Sequence, residues 1–329
     1  MIDLSVKYLG LSLKNPLIVG SCGLTNSVED VKALEKNGAG AVVLKSIFEE
    51  EIRLEYEKEM SNVAFDESNL EYYDYFDYQI KENNVKKYIQ LIEACKKEIK
   101  IPIIASVNCT SSAEWTFFAK KIQKAGADAL ELNAFIMPSD LTRSSEETEN
   151  IYFKLIENVK KEVSIPISLK ISYYFSNVAS MIKKLSDTGI AGIVLFNRFY
   201  SPDIDIENRK IISTHVLSSP AELSISLRWI AIMANRVSCD LAASTGVHDG
   251  KDVIKQLLVG ADAVQAVSTF YKNGTSHIAT MLNEIGVWMK DNNYNSISEF
   301  KGSMSQIKSQ NPAAIERVQF MKYFGDMKK

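Results

Sequence analysis

KNGAGAVVLKS at residues 36–46 decides the fold, because its pattern returns as KAGADALELN (124–133), DTGIAGIVLFN (187–197) and VGADAVQAVS (259–268). Each copy carries a helical stretch up to a glycine (Gly38, Gly126, Gly189, Gly260) and then into an apolar run. Glycine just past a helix end accepts the left-handed closing conformation. A short apolar run behind it reads as a strand buried on both faces, as in a parallel sheet. Three of the runs finish on Lys45, Asn133 or Asn197. The repeated unit is helix, tight turn, buried strand and polar tip.

The rest of the chain keeps this rhythm. Further strands are predicted at 16–22, 101–108, 166–171 and 238–243, with Pro102 and Pro166 near strand starts, where a missing N–H is tolerated. Amphipathic helical stretches fall at 28–37, 84–99, 113–125, 145–163, 177–188, 221–235, 249–259 and 276–291. Strict alternation predicts an α/β fold, a (β/α)8 TIM barrel, which takes about 250 residues before insertions. The 329 residues then form a single domain. The surplus goes to an N-terminal lead, the segments 47–83 and 198–219, and a helical C-terminal extension over 303–329. A doubly wound sheet would call for GxGxxG after the first strand, which the sequence lacks.

Composition narrows the class. Hydrophobic residues make up 46% and charged ones 24%, which suits a soluble globular protein and excludes a disordered, fibrous or membrane-spanning one. Lys+Arg 38 against Asp+Glu 41 gives a net charge of -3, so no basic surplus points to nucleic acid. Cys22, Cys95, Cys109 and Cys239 lie far apart with no CxxC pair, which argues against a disulfide framework, a zinc site or an iron–sulphur cluster. Residues 1–16 hold no long apolar run and read as no signal peptide. The expectation is a cytoplasmic protein with no membrane, metal or nucleic-acid partner.

Barrel chemistry sits at the C-terminal ends of the strands. Those tips carry Ser21-Cys22-Gly23, Lys45-Ser46, Asn108-Cys109-Thr110, Asn133, Lys170, Asn197, Ser244-Thr245-Gly246 and Gln265 through Ser268. A lysine in a barrel mouth is costly unless it meets an anion or a polarised carbonyl. A structural hydrogen bond or a snorkelling stem is the alternative for any one of them. His215, His248 and His277 form no ligand set, and no HExxH occurs. STGVHDGKDV (244–253) puts a glycine after the seventh strand and an Asp N-cap before the next helix. QAVSTFYKNG (265–274) adds hydroxyls and free N–H groups after the eighth. Barrels bind phosphate at this place; two ordinary turn-and-cap sequences are the other reading.

Together these segments resemble the dihydroorotate dehydrogenase family over roughly residues 3 to 302. LKNPLIVGSCG (13–23) is similar to the family's NP-x-x-x-A-S-G opening, and GAGAVVLKS (38–46) ends on its Lys-Ser. NLEYYDYFDY (69–78) resembles a segment of the soluble homodimeric class. ADALELN (127–133), PISLKI (166–171) and STGVHDGKDV match the active-site strand, the flavin-lysine strand and the phosphate loop. The resemblance implies an FMN-dependent barrel that oxidises dihydroorotate to orotate in pyrimidine biosynthesis by hydride transfer to FMN. It further implies a homodimer.

Carried over position by position, Gly20, Ser21, Cys22 and Ser46 run along the flavin edge. Lys45 serves flavin and substrate carboxylate, and Lys170 lies by the flavin N1–C2 carbonyl. Asn133 and Asn197 bind the planar substrate. Gly246, Val247 and Ser268 hold the FMN phosphate, with Ser219 on the ribityl side. Lys45 and Lys170 are the catalytic residues so assigned.

The departures are specific. The family loop N-L-S-C-P-N, whose Cys removes the substrate proton, is here Asn133-Ala134-Phe135-Ile136-Met137-Pro138-Ser139. Ile136 cannot take a proton, and Ser139, Ser144, Ser145 or Cys109 are the weak stand-ins. MSNVAFDES (60–68) lacks the family's N-S-M-G-L-P stretch, and Val247 replaces a glycine of the phosphate loop. The NAD-linked form also uses a separate iron–sulphur flavoprotein subunit, about which this chain is silent. Two further readings stay open: a flavoprotein paralogue that acts on another dihydropyrimidine-like compound or only binds flavin, and a Schiff-base lyase using Lys170 or Lys45.

Overall fold

The computed structural model describes residues 2–48, 70–108, 112–134, 136–198 and 201–316, with the side chains of 70–81 and 112–115 outside that description. The chain opens with an antiparallel hairpin, β1 (Val6–Tyr8) and β2 (Leu11–Leu13), turned at Leu9 and Gly10, both at positive φ. Then come β3 (Leu17–Val19), α1 (Val28–Lys36), β4 (Ala41–Val43) and its short continuation β5 (Ile47–Phe48). α2 (Leu70–Glu98), β6 (Ile103–Asn108), α3 (Ser112–Lys124) and β7 (Ala129–Asn133) follow. After them run α4 (Ser145–Glu162), β8 (Ile167–Ile171), α5 (Val178–Asp187) and β9 (Gly192–Leu195).

A second hairpin, β10 (Pro202–Asp205) and β11 (Lys210–Ser213), interrupts the alternation. α6 (Leu223–Met233), β12 (Asp240–Ser244), α7 (Gly250–Val259) and β13 (Ala263–Ala266) resume it. α8 (Ser268–Asn273), α9 (His277–Asp291) and the short α10 (Ala313–Glu316) finish the described chain. The parallel strands β3, β4, β6, β7, β8, β9, β12 and β13 pair in that order, and β13 closes back on β3. The predicted (β/α)8 barrel is the fold.

The two faces of each strand go to different places. Outward residues such as Leu17, Val42, Leu130, Leu169, Ile193 and Val264 pack under Leu34, Ile156, Ile182 and Leu257 of the helices. Full burial of such an aliphatic side chain contributes about 1.5–3 kcal/mol. Inward residues of the lower barrel (Ile18, Val43, Ile104, Ala129, Val194, Ala263) pack on Tyr8, Leu9 and Leu13, so the first hairpin plugs the bottom. Asp240 Oδ2 pins that plug by accepting from the Leu9 N–H at 2.7 Å. Above this apolar floor the inward positions turn polar, with Ser106, Glu131, Ser168 and Gln265 all buried.

All four turn glycines of the repeat have positive φ, from 74° at Gly189 to 114° at Gly260. The other expectations hold less evenly. The helix predicted from residue 84 starts at Leu70, so the tyrosine-rich 71–78 stretch of the surplus segment is helical; it contains no glycine or proline to break a helix. The 198–219 segment contains a ribbon instead of irregular loop. Of the expected helical extension, 303–316 is mostly turns before α10, and 317–329 lies outside the described residues, as does 49–69.

Candidate active site

Lys170 stands at the centre of the barrel mouth. It is in phase with Ser168 on β8, only 8% exposed, and its Nζ donates to Gln265 Oε1 at 3.0 Å. Gln265 Nε2 in turn donates to Glu131 Oε2 at 2.5 Å. Glu131 is buried, and burial pushes its carboxyl above the ordinary range, while the Lys170 charge and the Gln265 bond pull it back down. On the adjacent strand, Asn133 is the register partner of Lys170. Asn197 Nδ2 donates to Asn133 Oδ1 at 2.6 Å, and the Asn197 N–H to Ile171 O at 2.8 Å. Lysine and paired carboxamides are thus fixed by strand register.

On the other side of the mouth a chain of hydroxyls ties the first strands together. Ser21 Oγ lies 3.0 Å from Ser46 Oγ, which lies 2.7 Å from Ser106 Oγ. The Lys45 N–H donates to Thr25 O at 3.2 Å, and the Gly20 N–H to Ala266 O at 3.1 Å. A side chain at Gly20 would put its Cβ 3.0 Å from Val267 Cγ2. Cys22 is partly buried, and burial pushes its thiol up, which disfavours a thiolate there.

The loops after β12 and β13 form a cradle. Gly246 has φ +80, and a Cβ there would sit 2.2 Å from Leu223 N and 2.7 Å from Leu223 Cα. Only glycine allows the loop to lie against this turn. The Gly246 N–H reaches Ser218 Oγ at 3.4 Å, the Ser218 N–H donates to Ser268 Oγ at 2.9 Å, and Lys272 Nζ donates to Ser218 O at 2.9 Å. Asp249 caps α7 as predicted, accepting from the Asp252 N–H at 2.8 Å. His248 Nε2 lies 3.4 Å from Ser218 Oγ; burial, followed by the Lys272 charge, lowers its pKa. A cavity of about 330 Å³ runs from Lys170 and Asn197 past Ser21 to Ser218, Gly246 and Ser268.

The structure therefore brings Ser21, Lys170, Asn197, Gly246, Val247 and Ser268 to one cavity. Asn133 and Ser46 are bonded to members of it. Ser219 stands apart: its N–H and hydroxyl donate to Glu222 Oε2 at 2.6 and 3.2 Å, and it is Ser218 that lines the cavity. Ser139 is exposed on the loop after β7, its N–H on Met137 O at 2.9 Å. Cys109 lies outside the described residues. Tyr152, beside the Ile136 backbone, has its phenol pushed up to about 12 by burial, so it is no base near neutral pH.

Sequence reasoning missed Glu131, Ser218 and the Arg198–Glu222 ion pair at the mouth (2.6 Å). For Glu131 the signal was present. A carboxylate inside a buried apolar run, two residues before Asn133, must share its inward face.

A closed parallel barrel, with a cation and amides at its mouth and a backbone-and-hydroxyl cradle after its last two strands, has the layout of a barrel enzyme with its site at the C-terminal ends of the strands. The family model described as dihydroorotate dehydrogenase matches residues 3–289. The chain belongs to that family, and as such is an oxidoreductase acting on CH–CH bonds. Its relatives include the protein named dihydroorotate dehydrogenase B (NAD(+)), catalytic subunit, of Thermoplasma acidophilum, 26% identical over 315 residues that cover 92% of this chain and 99% of the relative. Proteins of the same name are 25% identical over 299 residues in Methanocaldococcus jannaschii, covering 88% and 94%, and 25% over 305 residues in Bacillus thuringiensis, covering 91% and 96%.

Proposed function

We propose that the chain is an FMN-dependent catalytic subunit that oxidises dihydroorotate to orotate in pyrimidine biosynthesis. The observation that carries the reading is Lys170, held on Gln265 in a cavity that the Gly246 cradle also lines. The donor set fits FMN. Gly246, Ser218 and Ser268 would hold the phosphate, and Lys170 would face the pyrimidine half of the ring. FMN supplies the two-electron acceptor for the substrate hydride. Asn133 and Asn197 orient the planar substrate through their carboxamides, and Lys45 is assigned to its carboxylate. A cation by the ring favours the anionic reduced form. Ile136 leaves the substrate proton to solvent or to another loop residue, so proton removal is slower than a thiolate would make it.

Assembly and location are part of the same proposal. The β10–β11 ribbon exposes its cross-strand pair Ile204 and Ile211 at 64% and 76%. A two-stranded ribbon is marginal alone in water, and an apolar pair on it calls for a partner surface. A second copy is the proposed occupant, as a homodimer. The name shared by the relatives, a catalytic subunit, supports a partner subunit as well. A cytoplasmic location belongs to the same proposal; among the described residues no helix is long and apolar enough to cross a membrane.

Ile136 favours one second reading, a flavoprotein whose substrate is another dihydropyrimidine-like compound. The lyase reading has no such support, since Lys170 is committed to Gln265. The test is an anaerobic visible spectrum of the purified protein before and after dihydroorotate. A flavin band that bleaches supports the proposal. A band that persists moves the substrate elsewhere, and a colourless protein that cannot be loaded with FMN overturns the flavin reading.

A further inference from the structure

We propose that Glu131 is a positioning residue: through the Gln265 carboxamide it fixes Lys170 and offsets part of its charge, and would thereby set the reduction potential of the bound cofactor. This rests on the FMN reading above.

The geometry is a relay of buried groups. Lys170 Nζ donates to Gln265 Oε1 at 3.0 Å, and Gln265 Nε2 donates to Glu131 Oε2 at 2.5 Å. Gln265 and Glu131 are each 1% exposed. The amide is oriented from both ends: its oxygen accepts from the cation and its NH2 donates to the carboxylate on the other side. Without the Glu131 oxygen the NH2 end would be left without its acceptor, and Gln265 would be held from one end alone. The second carboxylate oxygen, Oε1, has no hydrogen-bond partner among the described residues. Such a group is costly to bury, and no packing need calls for it: hydrophobic side chains fill the inward positions one layer below. A carboxylate kept at this depth acts electrostatically, because charges interact strongly where water is excluded.

The consequence has a sign. A cation beside the ring stabilises the reduced, anionic flavin and raises its potential. A carboxylate behind that cation lowers the potential again. Glu131→Gln keeps size and hydrogen bonding but removes the offset.

The experiment measures the midpoint potential of FMN in the loaded wild-type and E131Q proteins by anaerobic dye equilibration. Reduced FMN should gain about tenfold in affinity relative to oxidised FMN, a rise of about 30 mV for a two-electron couple. In parallel, wild-type and Gln265→Met apoproteins are labelled with trinitrobenzenesulfonate, and the Lys170 peptide is quantified by mass spectrometry. Lys170 should react several-fold faster in Q265M.

An unchanged potential in E131Q, or a Lys170 labelling rate unchanged in Q265M, overturns the inference while leaving the FMN reading intact. Failure of the wild-type protein to take up FMN overturns that reading and, with it, the role in setting a potential; the labelling then decides the positioning role alone. If E131Q does not fold, Q265M is carried through the potential measurement, where an unchanged potential overturns the proposal.

Discussion

Gly246→Ala is the sharpest test of the cradle. The substitution meets two costs. At φ +80 an alanine enters the left-handed region, at about 1–2 kcal/mol. Its Cβ would also lie 2.2 Å from Leu223 N and 2.7 Å from both Glu222 C and Leu223 Cα. These are backbone atoms, which cannot rotate away as a side chain could, so the loop after β12 must move off the turn at 220–222. Overpacking of that kind costs about 1–3 kcal/mol. The sum is about 2–5 kcal/mol. Gly10→Ala is the matched control: φ is +73, but nothing lies within 4 Å of its Cβ, leaving about 1–2 kcal/mol. It sits in the plug hairpin at the other end of the barrel. Urea unfolding of both apoproteins reads the stability difference, and fluorescence titration with FMN reads the site. G246A should be the less stable and should bind FMN at least about tenfold more weakly, which is about 1.4 kcal/mol; G10A should bind as the wild type does. Equal stability losses with equal FMN affinity would refute the reasoning.

The other predictions bear on separate parts of the site. Lys170→Ala should slow flavin reduction by about 10²–10³-fold in stopped-flow traces of the protein that remains folded and FMN-loaded; normal reduction rates in that fraction, with only stability lost, would mark Lys170 as structural. Ile136→Cys places a thiol at the proton-removal position, and anaerobic dihydroorotate turnover should rise; turnover that stays at zero argues against dihydroorotate as substrate. His248 binds its proton less readily folded than unfolded, because burial and Lys272 lower its pKa from 6.5. Below about pH 6.5 the unfolded state takes up more protons, so stability falls with pH. The drop in Tm of the apoprotein on going from about pH 7.5 to about pH 5.5 should shrink in His248→Asn, and an equal drop in both would count against this assignment. Ile204→Asp combined with Ile211→Asp should convert a dimer to monomer in sedimentation velocity, and an unaffected dimer places the interface elsewhere.

The barrel was legible because its signals are local. A glycine at each helix end and an apolar run behind it are read within ten residues, and the predicted boundaries of α1, α4, α5 and α9 agree with the structure within a residue or so. The first hairpin was not legible, since three-residue strands are too short for a period to show. Tyr8 and Leu13 reveal their role only when eight strands close around them. The second hairpin failed differently. Asp203-Ile204-Asp205-Ile206 alternate over too few residues to mark a strand, and Ile211 and Ile212 are adjacent and without a buried face. At the site, lysines and asparagines stood out as tips, and glycines as turns. The relay from Lys170 to Glu131 did not, because Gln265 and Glu131 are 134 positions apart and only closure of the sheet makes them neighbours.

The same physical distinction explains where this chain departs from the family pattern. The residues assigned to the cofactor are bound into the fold. Gly246 lies on the Leu223 backbone, Ser218 is tied to Ser268 and Lys272, and Lys170 is tied through Gln265 to a buried carboxylate. Changing any of them disturbs strand register or a buried polar group, at a cost of several kcal/mol against a total stability of about 5–15 kcal/mol. Beyond Ile136, which packs against the core, the loop after β7 is under no such constraint. Residues 137–147 are exposed, and the hydrogen bonds of Ser139, Thr142 and Ser144 stay within the loop or reach only the first turn of α4. On the proposed reading, proton removal would rest on the part of the mouth that can change at least cost to the barrel, whereas the half assigned to flavin cannot. Ile136 packs its apolar side chain against the core and is not among the residues that line the cavity, so on the proposed reading a change of substrate would reside at this end of the loop rather than in the barrel.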